Sequence, residues 1–411
     1  MYKITAIHGR EILDSRGNPT VEVELNLNNN FNARASVPSG ASCGKFEAHE
    51  LRDGNDRRYR GKGCIKAVNN INDVIRPQLV NQEFDDQAQL DEWLINFDGS
   101  DNKTNLGANS ILALSIAFAR AAAKCQNTEL FKYLSPSNNN FTMPRLMINI
   151  INGGAHANNA LQLQEFMIVP QLDNYHQNLQ AGSEIFHQLG KILAADNYST
   201  AVGDEGGYAP DLNSSQHSLT YIMQAINQSG YNDNQVGIAI DAAASEIYNN
   251  DGHYLVEKGQ VAKDQAELTT YYEQLVSRFP IISIEDGVSE DDISGWQILT
   301  NKLGSKIALV GDDLFVTNCS RLQYGIDHNL GNAILIKPNQ IGTVSETLAA
   351  INLARKHNYK VIISHRSGET EDTFIAHLAV AVNADFIKTG SMSRGERIAK
   401  YNELLRLAEV V

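Results

Sequence analysis

Cysteine is scarce in this 411-residue sequence, with four residues, Cys43, Cys64, Cys125 and Cys319, scattered along it. No CxxC pair occurs, which argues against a zinc ribbon and against a disulfide framework. Incidental thiols in a reducing compartment are the expectation. Long apolar runs are missing too. No stretch approaches the roughly 20 residues of a membrane span, and the most apolar segment, 111–123, is interrupted by Ser115 and Arg120. Met1-Tyr2-Lys3 runs directly into an apolar pattern, without the charged-then-apolar layout of a signal peptide. A cytoplasmic protein without a membrane span is expected. Positive charge is in the minority, with 34 Lys and Arg against 48 Asp and Glu and a formal net charge of −14. Such a surface gains nothing from a phosphate backbone, so nucleic acid is excluded as the main ligand. Small anions are repelled at long range as well. Any site for them must be built locally from clustered Lys, Arg and metal-binding carboxylates. GxGxxG and HExxH are both absent, and Pro38-Ser39-Gly40-Ala41-Ser42-Cys43-Gly44-Lys45 lacks the spacing of a phosphate loop. A small, hydroxyl-rich segment bounded by glycines fits a mobile lid instead.

What is present points to two parts. The length exceeds one ordinary core, and 42% apolar with 20% charged residues is the balance of a globular protein. In Val21-Glu22-Val23-Glu24-Leu25-Asn26-Leu27 apolar and polar residues alternate, which predicts a strand with one wet face after the turn signal Gly17-Asn18-Pro19. Segments 64–74 and 109–125 show helical spacing instead. Strands followed by helices predict a small α+β domain over 1–133. The polar stretch Pro136-Ser137-Asn138-Asn139-Asn140 would link it to a second domain over 141–411.

In the second part, short apolar runs recur between helix-length segments, and six of them end in an ionisable residue. These ends are Asp241, Glu285, Asp312, Lys337, His365 with Arg366, and Lys388. From Glu285 onward the spacing is that of one strand–helix unit each time, the signature of parallel β/α architecture. In a β/α barrel the strands point one way, so their C-terminal ends converge on one mouth. A single charged strand end is commonplace. Six in succession, three acidic and then three basic, are hard to explain as packing.

Three carboxylates on successive strand ends, without nearby Cys or paired His, suit Mg²⁺ better than zinc. Spacing alone does not separate Glu285 from Asp286 or Asp312 from Asp313, since either neighbour could cap a helix. A lysine beside other cations and a divalent metal should lose its proton more readily, so the pKa of Lys337 is expected to fall. Arg366-Ser367-Gly368 offers a guanidinium fork, a hydroxyl and accessible backbone for a phosphate. Gly203-Asp204-Glu205-Gly206-Gly207 sets acids between glycines, either to approach a ligand or as a plain solvated turn. Ile151-Asn152-Gly153-Gly154-Ala155-His156, with Gln164-Glu165 beyond it, is similar, and His156 alone could be structural.

Taken in order, these motifs resemble the enolase family. Ile334-Leu335-Ile336-Lys337-Pro338-Asn339-Gln340-Ile341-Gly342-Thr343 matches its signature almost letter for letter, and Ser364-His365-Arg366-Ser367-Gly368-Glu369-Thr370-Glu371-Asp372 is equally characteristic. The resemblance, bacterial in flavour, covers about residues 3–407. It implies an enolase-type, TIM-like β/α barrel with irregular first units and an N-terminal α+β cap. It implies reversible dehydration of 2-phospho-D-glycerate to phosphoenolpyruvate, with two Mg²⁺ per site during turnover. Carried over by position, Asp241, Glu285 and Asp312 would hold the first Mg²⁺ and Ser42 the second. Lys337 would be the base, and Glu205 the acid assisted by Glu165. Lys388 would hold the substrate carboxylate, and Arg366 and Ser367 the phosphate. His156, Gln164 and His365 would line the pocket. A homodimer or an octamer of dimers, and a secondary surface or secreted pool, are further family expectations. Cys43, Phe386, Arg145-Leu146 and the short end at Val410-Val411 depart from the usual pattern, which leaves room for a paralogue acting on a phosphonate analogue. A racemase or cycloisomerase would carry a KxK pair within 141–240, and none is there. A non-catalytic relative would have lost one of Lys337, Glu205 or the carboxylates, and all are kept.

Overall fold

A computed structural model describes residues 1–40, 44–135, 137–249 and 251–411. Its first part is a four-stranded antiparallel sheet in the order β3-β2-β1-β4, built from β1 (Tyr2–Leu13), β2 (Pro19–Leu27), β3 (Phe31–Ser36) and β4 (Glu83–Phe84). The alternation in β2 does what the sequence predicts at its apolar positions, since Val21, Val23, Leu25 and Leu27 are all buried. Helix Ala108–Cys125 covers β2 and β3 and is buried along almost its whole length. Segment 64–74 is helical but not uniformly so. A turn of π-helix, Asn70–Ile75, separates Ile65–Asn69 from Arg76–Leu79, where Pro77 has no N–H to give to an i→i−4 ladder.

The second part is a closed eight-stranded barrel, whose order around the ring is β10-β11-β12-β5-β6-β7-β8-β9. The strands are β5 (Arg145–Asn152), β6 (Glu165–Pro170), β7 (Val236–Asp241), β8 (Ile281–Glu285), β9 (Ala308–Gly311), β10 (Ala333–Ile336), β11 (Lys360–Ser364) and β12 (Phe386–Lys388). All six runs that end in ionisable residues are strands of this barrel. The expectation that every strand points the same way fails at one position. Strand β6 pairs antiparallel with both β5 and β7. Its first residue, rather than its last, therefore lies at the mouth. The barrel interior is filled by Met147, Met167, Val169, Ala239, Ala308, Val310, Ala333, Leu335, Ile362 and Phe386. The unusual Phe386 is thus an interior packing residue, 4% exposed.

The two parts are stitched together by polar contacts. Ser39 and Gly368 exchange backbone hydrogen bonds of 2.8 and 2.9 Å. The Arg120 guanidinium donates twice to Asp372, which also accepts from the Ser36 N–H. Buried Asp91 accepts from the backbone and hydroxyl of Ser345 at the start of helix Val344–Lys356. Among the described residues no helix is long and apolar enough to cross a membrane.

Candidate active site

Register brings the acids together. Asp241 and Glu285 are directly paired across β7 and β8, and Glu285 pairs with Val310 on β9, two residues before Asp312. Across the mouth, Lys388 at the end of β12 donates to Asp241 Oδ2 at 2.8 Å and to both oxygens of Glu285 at 2.9 Å. It also lies 3.4 Å from Glu165. Burial disfavours its charge, but Asp241, Glu165 and Glu285 outweigh that and hold the ammonium well above the usual lysine range. Lys337 bonds Asp312, whose other oxygen accepts from Gln340 at 2.8 Å. Burial and Arg366 pull the Lys337 pKa down, but without a divalent cation Asp312 outweighs them and the net direction is upward. The expected fall therefore depends on a cation competing for Asp312.

A second group gathers at the reversed strand. His156 Nδ1 lies 3.5 Å from Glu165 and 3.7 Å from Glu205. Asn149 donates to Glu205 Oε2 at 3.2 Å, and His365 Nε2 lies 3.4 Å from the same oxygen. The two carboxyls are buried and their affinities are driven apart. Burial, with Glu205 as the nearest like charge, raises Glu165 well above the ordinary carboxylate range. Glu205 is desolvated too, but it faces His365 and His156 and is held low. Among the described residues, one oxygen of Glu165 has no hydrogen-bond partner.

The third wall is cationic. Arg366 Nη1 donates to Glu47 at 2.9 Å and to Asn339 at 3.2 Å. Ser367 Oγ accepts from Arg16 at 3.3 Å, and the same guanidinium reaches the carbonyls of Ser39 and Gly40. Gly368 makes this packing possible, because a Cβ there would lie 2.5 Å from both Arg16 Nη2 and Asp14 Oδ2.

These walls line one polar cleft. His156, Gln164, Glu165, Glu205, Asp241, Asp312, Lys337, His365, Arg366, Ser367 and Lys388 all line it. Glu285 lies behind Lys388 and does not. Ser42 and Cys43 fall outside the described residues. Sequence reasoning missed Glu47, which also lines the cleft, and left Asp286, another lining residue, open as ligand or helix cap. Asp286 is not a helix cap. Its two oxygens accept from the backbone N–H groups of Asp312 and Asp313 and so hold the loop that carries them, while Asp292 caps the following helix.

Buried oxygen ligands on adjoining strand ends fit a hard divalent cation, and among the described residues no thiol lines the cleft. Two sets of potential ligand atoms lie within 4.8 Å of one another, Asp286-Asp312-Asp313 and His156-Glu165-Glu205. Asp241 and Glu285 are in neither set, and both contact the Lys388 ammonium instead. Comparison with protein-family models matches residues 4–134 to the enolase N-terminal domain and residues 140–411 to the enolase C-terminal TIM barrel domain. A cap, a barrel with one reversed strand, and acids and lysines meeting at its mouth are accounted for together: the chain belongs to the enolase family.

Proposed function

We propose that this protein is a hydro-lyase that converts 2-phospho-D-glycerate to phosphoenolpyruvate reversibly. One observation carries the reading. Lys337 after β10, Glu165 at the start of β6 and Glu205 in a loop line one buried cleft, with Lys388 3.4 Å from Glu165 and Arg366 and Ser367 in the same lining. Dehydration across two carbons needs this separation, because a base must act at C2 while an acid acts at C3.

In this reading Arg366 and Ser367 bind the phosphate and Lys388 the carboxylate. With a divalent cation competing for Asp312, Lys337 would give up its ammonium proton, and its neutral Nζ then takes the C2 proton. Glu205 takes up the proton stored on Glu165 and delivers it to the C3 hydroxyl, which leaves as water. Held by Asp241, Glu285 and Asp312, with Ser42 for a second ion, Mg²⁺ would supply positive charge where loss of the proton doubles the charge on the carboxylate. Buried Lys388 is preorganised for the same task.

The test is ultraviolet absorbance of phosphoenolpyruvate formed from 2-phosphoglycerate with and without Mg²⁺. Lys337→Ala should lower the rate by roughly 10²- to 10⁴-fold, the usual contribution of a positioned base, while the circular dichroism spectrum is unchanged. Wild-type protein that ignores 2-phosphoglycerate but turns over a phosphonate analogue would replace the substrate assignment.

A further inference from the structure

Arg397 is among the largest fully buried side chains, at 0% exposure, near the start of helix Gly395–Ala408. None of the steps above uses it. Its guanidinium Nη1 lies 2.6 Å from His365 Nδ1 and 2.6 Å from the Arg366 carbonyl. Nη2 lies 2.6 Å from the Ser367 carbonyl and 3.3 Å from that of Asp204. One planar fork therefore ties the loop carrying His365, Arg366 and Ser367 to the loop carrying Glu205. Space for its stem depends on Gly390, where a Cβ would meet Arg397 Cδ at 2.7 Å.

We infer that Arg397 is a positioning residue that locks the His365 imidazole in its Nε2–H tautomer and so aims one N–H at Glu205. The chemistry leaves little freedom. A guanidinium has donors only, so Nδ1 of His365 must accept and the ring hydrogen must sit on Nε2. That nitrogen faces Glu205 Oε2 at 3.4 Å and has no other hydrogen-bond partner among the described residues. Burial pushes His365 down to about 4, so the ring is neutral near pH 7 and its tautomer matters. Such an N–H stabilises the carboxylate form of Glu205 and leaves the paired proton with Glu165. In the opposite tautomer a lone pair would face the carboxylate, and the two would repel.

The effect on turnover rests on the dehydration reading, whereas the tautomer does not. Long-range ¹⁵N–¹H correlation on wild-type protein labelled with [¹⁵N]histidine, assigned with a His365→Gln control, reads the ring directly. An Nε2–H pattern is expected, and an Nδ1–H pattern or an imidazolium overturns the inference even if the enzyme is active. Arg397→Met should give mixed His365 tautomers and lower kcat roughly 10- to 100-fold, the range for a residue acting through another, with a smaller change in KM. Arg397→Lys, which keeps a donor, should retain the Nε2–H pattern and most of kcat. A folded Arg397→Met protein with the wild-type tautomer would reduce Arg397 to a packing role. Should that variant not fold, the wild-type spectrum still decides the inference. Wild-type protein inactive on 2-phosphoglycerate but with the Nε2–H ring would end the dehydration reading and leave the tautomer lock standing.

Discussion

Lys388 and Asp241 face each other across the barrel mouth, the ammonium 2.8 Å from the carboxylate of a strand three places round the ring. Glu285 and Glu165 share the same cation. Removing it leaves buried carboxylates uncompensated, which typically costs about 3–5 kcal/mol. Lys388→Ala should therefore melt earlier than wild type in EDTA. Because a divalent cation offers the same acids a replacement charge, adding Mg²⁺ should raise the melting temperature of the variant more than that of wild type. Equal gains in the two proteins would mean that the acids and the metal are not coupled.

Glu47 occupies the guanidinium assigned to phosphate. Its carboxylate lies 2.9 Å from Arg366 and also accepts from the Gly44 N–H at 3.1 Å. An incoming phosphate has to compete with it. In Glu47→Gln the competition weakens, and inorganic phosphate should inhibit turnover at about tenfold lower concentration, equivalent to roughly 1.4 kcal/mol. An unchanged inhibition constant would show that Arg366 serves the two anions without exchange.

Far from the cleft, Glu403 supplies a pH-dependent part of stability. Its hydrogen bond from His377, assisted by Arg406, pulls it from 4.5 down to about 2. Between those values the unfolded chain binds more protons than the folded one, so this contribution is full above about 4.5 and is lost as pH falls toward 2. Chemical denaturation between pH 2 and pH 5 should show a shallower acid-side decline in Glu403→Gln than in wild type. Parallel curves would contradict it.

The strand ends were readable because repetition turns single charges into a pattern. Asp241, Glu285, Asp312, Lys337 and Lys388 all stand where the spacing puts them. The direction of β6 was not readable. Its residues Glu165–Pro170 are all buried, and a strand buried on both faces looks apolar whichever way it runs. Glu165 was noted only as lying beyond the Gly153-Gly154 motif, and its role came by resemblance, since a search of strand C-terminal ends arrives at Pro170. Arg397 left a signal that went unused. Arg397, Lys400, Tyr401, Leu404 and Leu407 form one buried helical stripe, and two cations on such a stripe call for internal partners. Glu47 left none, because its partner Arg366 lies 319 residues away.

The paired hydrogen bonds between Ser39 and Gly368 carry a consequence for recombination. Main chain sews the segment at Ser39 to the loop 365–368, and Arg16 crosses the same seam to reach Ser367. The halves consequently cannot be shuffled like independent modules. A chimaera that takes its first 134 residues from a distant relative inherits half of that seam, and it will work only if the donor's segment still fits the recipient's loop.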